Sequence, residues 1–112
     1  MIKKLSIISL ACFLGMVFGT AKAADSIHIG LNVPLSGSYK DQGEDELRAY
    51  EMAIKEINAK GGVLGKKITY SVKDSQTNAD VSLKNATDLI NEGAVMITGG
   101  SSSAVAIKLG EL

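Results

Sequence analysis

The residue types best placed to do chemistry stand in one short run, Gly99-Gly100-Ser101-Ser102-Ser103. The run follows an apolar stretch and leads into a helix-like one. Backbone N–H groups at a helix start lack intrahelical partners, and serine hydroxyls beside them add further donors for an anion. The chemistry would be the capture of a carboxylate or a phosphate. The same run also reads as a plain helix start with two spare serines, because Ser is a preferred N-cap. Both readings stand on these residues alone. A second polar run, residues 34–43, holds Ser36, Gly37, Ser38, Tyr39 and Gln42.

Other chemistries fail on spacing. The run GGVLGKK at residues 61–67 lacks the GxxxxGK[ST] interval of a phosphate-binding loop. Its first glycine is one residue too close, Lys67 stands where Ser or Thr is needed, and it leads from helix into strand. No GxGxxG follows the first strand. His28 is the only histidine and Cys12 the only cysteine, so no metal site is expected. Glu44, Asp45 and Glu46 read as a solvated helix start. No nucleophile–base pair can be named, so the expectation is a binding protein, not an enzyme, with no cofactor.

The elements that must position these runs alternate. Residues 26–33 (SIHIGLNV) place Ile27, Ile29, Leu31 and Val33 on one face at period two, and Pro34 ends the strand. Residues 44–59 carry Leu47, Tyr50, Ala53, Ile54 and Ile57 at helical spacing, with the three acids in the first turn. Lys60 then supplies positive charge at the helix end. Gly61 and Gly62 suit a left-handed helix stop, and Gly65 reverses the chain into a strand over residues 67–73. Asn78 is the expected N-cap of a helix over residues 79–91, whose apolar side is Val81, Ala86, Leu89 and Ile90. Residues 94–98 (AVMIT) form a short apolar run that suits a strand buried on both faces. A third helix begins about Ser102.

The order β-α-β-α-β-α predicts an α/β fold with a parallel sheet and right-handed crossovers. With strand order 2-1-3, the two Ser/Gly-rich runs flank a topological switch point, where open α/β sheets bind ligands.

The first 23 residues read as a cleaved leader and not as fold. Met1-Ile2-Lys3-Lys4 is a positive start, residues 5–19 are uncharged and mostly apolar, and Ala21-Lys22-Ala23 is an A-x-A cleavage site. The apolar run is shorter than the ~20 residues a spanning helix needs. The mature chain, residues 24–112, is therefore expected in the periplasm, not embedded in a membrane. Cys12 lies inside the apolar run and reads as part of it rather than as a lipid anchor, so the mature chain has no thiol. The 112 residues have formal net charge zero. Loss of Lys3, Lys4 and Lys22 leaves nine bases against twelve acids, a mildly acidic segment that gives nucleic acid no basic face. Fewer than 90 mature residues in three strands bury little surface, so the chain reads as the N-terminal part of a longer protein, with a natural short gene product as the other reading.

The wording of the helix–strand junction adds a family. EIN-x-x-GGV-x-G-x-K-I, from Glu56 to Ile68, resembles the first such junction of periplasmic amino-acid-binding proteins of the leucine/isoleucine/valine type, the solute receptors of ABC importers. The opening IHIGLNVPLSGSYKDQG looks like that family's first strand, its P-L-S/T-G turn and the glycine that starts its first helix. The resemblance implies one part of the first lobe of a two-lobe fold that closes on a small amino acid or related amide and docks on an inner-membrane ABC permease. It implies that Ser103 holds the ligand α-carboxylate, with Ser102 and Ser101 beside it. It also places Gln42 where members cover the ligand with an aromatic or small residue. Two other readings are a ligand-sensing domain of a receptor or regulator with the same fold, and a secreted flavodoxin-like enzyme domain.

Overall fold

The computed structural model describes residues 25–112. The leader reading, with Cys12 and the Ala24 start, lies outside the described residues. Six elements alternate: β1 (Ile27–Val33), α1 (Lys40–Ala59), β2 (Ile68–Asp74), α2 (Ala79–Asn91), β3 (Met96–Gly99) and α3 (Ser103–Leu109). The three strands form one parallel sheet in the order β2-β1-β3. Ile27 pairs with Ile68 and Val33 with Asp74, while Ile29 pairs with Met96 and Asn32 with Gly99. The expected α/β fold with a parallel sheet is present, and the strand order is the one under which the two Ser/Gly-rich runs flank a switch point.

The period-two pattern of β1 sorts its residues onto two helical layers. Ile29 and Leu31 are buried with Ile54 of α1, and Ile27, Leu47, Tyr50 and Ile68 pack around them. Gly30 points the other way, where a Cβ would lie 2.9 Å from Leu89 of α2. Asn32 on that same face is fully buried and satisfied: its amide donates to the Ser82 carbonyl at 2.8 Å and to the Ser82 hydroxyl at 2.9 Å. A buried amide left unpaired costs about 1–3 kcal/mol, so Ser82 is as much a part of this layer as the apolar residues.

Four expectations are corrected. The helix α1 begins at Lys40, one turn before Glu44, so Asp41 is its first-turn acid. Gly43 does not start this helix. It lies inside it, at a close approach, because a Cβ there would sit 1.8 Å from the carbonyl oxygen of Pro34. Ile90 is 48% exposed, and α2 turns Ser82, Ala86 and Leu89 inward instead, since the buried Asn32 needs Ser82. The run at residues 94–98 is not buried on both faces: Val95 is 76% and Met96 53% exposed. β3 is an edge of the sheet among the described residues, so it has a neighbour on one side only.

The junction after α1 shows why its wording is so particular. Lys60 sits at the C-cap and pairs with Glu56 at 2.6 Å, beyond the last turn proper. Gly62 takes φ +83° and would drive a Cβ to 1.9 Å from the Lys66 carbonyl oxygen, so no other residue fits the turn. Asn58 then reads the start of β2 as a backbone edge: its Oδ1 accepts from Ile68 N and its Nδ2 donates to Ile68 O, both at 2.8 Å. One side chain on the helix thus sets where the strand begins. At the next junction Asn78 caps α2 as expected, accepting from Asp80 N at 2.9 Å and Val81 N at 3.0 Å.

Candidate functional site

The strand ends of β1 and β3 lie side by side, and the chain leaves them in opposite directions. α1 follows β1 on one layer and α3 follows β3 beside α2 on the other. Residues 34–39 and residues 100–102 are the two loops that open at this switch point.

The first loop is fixed from outside itself. The Asp74 carboxylate, at the end of β2, accepts from Leu35 N at 2.8 Å, from the Ser36 hydroxyl at 2.7 Å and from Gln76 N at 2.8 Å. Partial burial pushes the Asp74 carboxyl upward, but the hydrogen bonds from the Ser36 hydroxyl and from the Gln76, Leu35 and Ser36 amides outweigh it. They hold the group below the usual carboxylate range. The Thr77 hydroxyl adds a second tie, donating to the Ser36 carbonyl and accepting from Tyr39 N, each at 3.1 Å. Asn85 on α2 braces the same corner from behind by donating to the Asp74 carbonyl at 2.8 Å.

The second loop hangs from α1. Gly99 and Gly100 both take positive φ, +125° and +104°. A Cβ on Gly99 would fall 2.0 Å from the Asn32 carbonyl oxygen, so the loop needs glycine there. The Ser101 hydroxyl donates to Glu46 Oε1 at 2.6 Å. One turn along the same helix stripe, Tyr50 OH accepts from the Thr98 hydroxyl at 2.6 Å. Gln42, Glu46 and Tyr50 are four residues apart and share a face of α1. Ser102 stands at the N-cap of α3, yet its hydroxyl makes no capping bond. Ser103 is the first residue of α3 and is exposed.

The four residues singled out in the sequence therefore fall around one switch point. Ser101, Ser102 and Ser103 form the second loop and its continuation, and Gln42 is exposed on α1 one turn before the residue that holds Ser101. Ser101 differs from the other two serines because its proton is already committed to Glu46. Glu46 was expected on a solvated helix start and is instead a structural acceptor, with Oε2 buried and without a hydrogen-bond partner among the described residues. Its neighbours do face solvent: Glu44 pairs with Lys40 and Asp45 with Arg48. Asp74 and Thr77 were not legible as site residues. Their only signal is position, at the end of a strand next to the first loop.

His28 packs on the sheet as the sequence suggested, with Nδ1 2.9 Å from the Thr69 hydroxyl and Nε2 3.1 Å from the Ser71 hydroxyl. No three His, Cys, Asp or Glu residues among those described gather as a metal site. An apolar groove of about 340 Å³ runs along the sheet from Ile27, Ile57, Val63 and Val95 to Tyr50 and Thr98. It exposes sheet and helix surface and contains none of the serines.

The profile of a periplasmic binding protein family matches residues 26–112. Leu/Ile/Val-binding protein homolog 2 of Brucella abortus is 32% identical over 101 residues, which are 90% of this chain and 27% of that protein. Homolog 7 of Brucella melitensis is 37% identical over 106 residues, 94% of this chain and 26% of that one. Among solved structures, the branched-chain amino acid transporter substrate-binding protein LivJ from Streptococcus pneumoniae, in complex with isoleucine, superposes with a TM-score of 0.72 at 29% identity. The match covers 75% of this chain and 24% of that one. A periplasmic binding protein type 1 from Bordetella pertussis superposes with a TM-score of 0.71 at 36% identity, over 78% of this chain and 24% of that chain. The chain spans about a quarter of the length of the relatives it matches.

Proposed function

The chain belongs to the periplasmic binding protein family, and from that membership we propose that it is the N-terminal part of the first ligand-binding lobe of an ABC importer's solute receptor. Residues 1–23 are its export leader and residues 24–112 the start of the lobe. The solute is an amino acid of the branched-chain type or a related small amide. The partner is an inner-membrane ABC permease, and the place of action is the periplasm. No helix among the described residues is long and apolar enough to cross a membrane. The role is binding without catalysis.

The observation that carries this reading is the pairing of two unlike loops at the β1/β3 switch point, one braced by Asp74 and one offering serine hydroxyls. The Ser102 hydroxyl is not used as a helix cap, and Ser103 is exposed beside it. Two hydroxyls together suit a carboxylate, whose two oxygens accept several short hydrogen bonds. In this reading Ser103 and Ser102 hold the ligand carboxylate, Ser101 anchors the loop, and Gln42 borders the ligand side chain from α1.

Calorimetric titration of the full gene product with a panel of amino acids tests the reading. Binding of Leu, Ile or Val, or of a close amide, is expected. A hydrogen bond to a charged group is worth about 1.5–3 kcal/mol, so Ser103→Ala should weaken binding roughly tenfold to a hundredfold. Ser102→Ala should weaken it less. A larger loss in Ser102→Ala than in Ser103→Ala would move the carboxylate contact by one residue, and no loss in either would remove these serines from the site. Mass spectrometry of the exported protein should find Ala24 at its start; a retained Met1 would overturn the leader.

A further inference from the structure

Glu46 has so far only the role of acceptor for Ser101, and that bond ties it to the site. Its carboxylate sits nearly two turns inside α1 and receives the Ser101 hydroxyl at 2.6 Å, a short, charge-assisted hydrogen bond. Tyr50, four residues on, receives the Thr98 hydroxyl at the same distance. The two ties run along one stripe of the helix and meet β3 and its loop at residues 98 and 101. Between them lie Gly99, the last residue paired in the sheet, and Gly100, both at positive φ. The Glu46–Ser101 bond therefore fixes the loop beyond the glycine pair, and Thr98 fixes the strand before it.

The second oxygen of Glu46 says in which direction the carboxylate works. Oε2 is buried, so it is not offered to a solute arriving from solvent. Oε1 receives Ser101 and Oε2 is buried, so the carboxylate reaches inward, onto the loop. We propose that Glu46 is a positioning residue for ligand binding: through Ser101 it holds the loop so that Ser102 and Ser103 present their hydroxyls together. The proposal rests on the binding reading above and adds a residue that acts on the ligand only through another.

A double-mutant cycle in the full gene product tests it, with affinity for the best-bound amino acid and the melting temperature read in parallel. Removing a charge-assisted bond predicts that Glu46→Ala weakens binding about tenfold. Ser101→Ala should weaken it by a similar factor, and the double variant by no more than either alone, because one bond is lost in all three. Glu46→Gln keeps an acceptor for Ser101 and should recover most of the affinity. A purely structural role would instead lower the melting temperature and leave the affinity of the folded fraction unchanged. That result, or additive losses in the double variant, overturns the proposal. Where the unmodified protein binds no amino acid of the panel, the binding reading fails, and amide hydrogen exchange decides the positioning role. Faster exchange at residues 100–104 in Glu46→Ala, with residues 34–39 unchanged, supports it, and unchanged exchange in both overturns it.

Discussion

The two loops at the switch point are built by opposite means. Residues 34–39 are gripped by a neighbouring strand end: Asp74 alone receives the Leu35 amide and the Ser36 hydroxyl, and Thr77 holds Ser36 and Tyr39. Residues 100–102 begin with the second of two glycines at positive φ and, among the described residues, reach the rest of the fold through one side-chain bond, Ser101 to Glu46. The first loop commits its Leu35 and Tyr39 amides and its Ser36 hydroxyl to Asp74 and Thr77. The second leaves the hydroxyl of Ser102 unused as a cap and Ser103 exposed. A frame and a contact surface have different needs. A frame gains from satisfying every donor, whereas a contact surface must keep donors for what it binds.

The largest test of this contrast is Gly99→Ala. A Cβ 2.0 Å from the Asn32 carbonyl at φ +125° cannot be placed without moving β1, and strain plus overpacking should lower stability by about 2–4 kcal/mol. Chemical denaturation reads that loss directly; a stable Gly99→Ala protein would mean the second loop is not bound to this backbone geometry. Next is Asp74→Ala, which strands the Leu35 and Gln76 amides. It should lower stability by about 2–3 kcal/mol.

The same carboxylate predicts a pH dependence. Its pKa in the folded protein is lowered, so its contribution is present above the unfolded value of about 3.9 and is lost as pH falls through the folded value. Stability measured by urea unfolding should therefore drop on acidification below about pH 4, and Asp74→Asn should flatten that part of the profile. Asp88 and Glu92 are also lowered, by hydrogen bonds from Lys84 and Lys73 respectively, but they are solvated pairs and remain in both proteins, so the difference isolates Asp74.

Smaller effects separate the two N-caps. Asn78 receives two amides of α2, and Asn78→Ala should destabilise by about 1 kcal/mol. Ser102 occupies the same position on α3 without a capping bond, so Ser102→Ala should change stability by less than about 0.5 kcal/mol. Thermal melts of the two variants side by side would sharpen the comparison. Equal losses would return Ser102 to a structural role.

Local chemistry made much of this legible. The period-two run of β1, the N-cap Asn78 and the glycine stop after α1 depend on residues close in sequence, and each stands where the pattern placed it. The family, too, was readable from the EIN and GGV wording, because Asn58 and Gly62 perform a junction within about a dozen residues. The serine run was legible as a candidate for the same reason, since hydroxyls after a glycine pair announce themselves.

Long-range partners decided the rest. The sequence set which residues can start, stop and face a layer, through torsional preference and the spacing of apolar side chains. It could not tell Glu46 from Glu44 and Asp45, because the difference is a bond to Ser101, fifty-five residues away. It could not show that Gly43 lies inside α1, because the reason is the Pro34 carbonyl pressed against that turn. Nor could it show that β3 has one neighbour among the described residues: an apolar run carries the same pattern whether one neighbour or two will pair with it. Asp74 acquired its role only when the end of β2 came to rest beside the first loop. Backbone conformation follows from local sterics, but the partner of a polar side chain is fixed by which strands and helices the fold brings together.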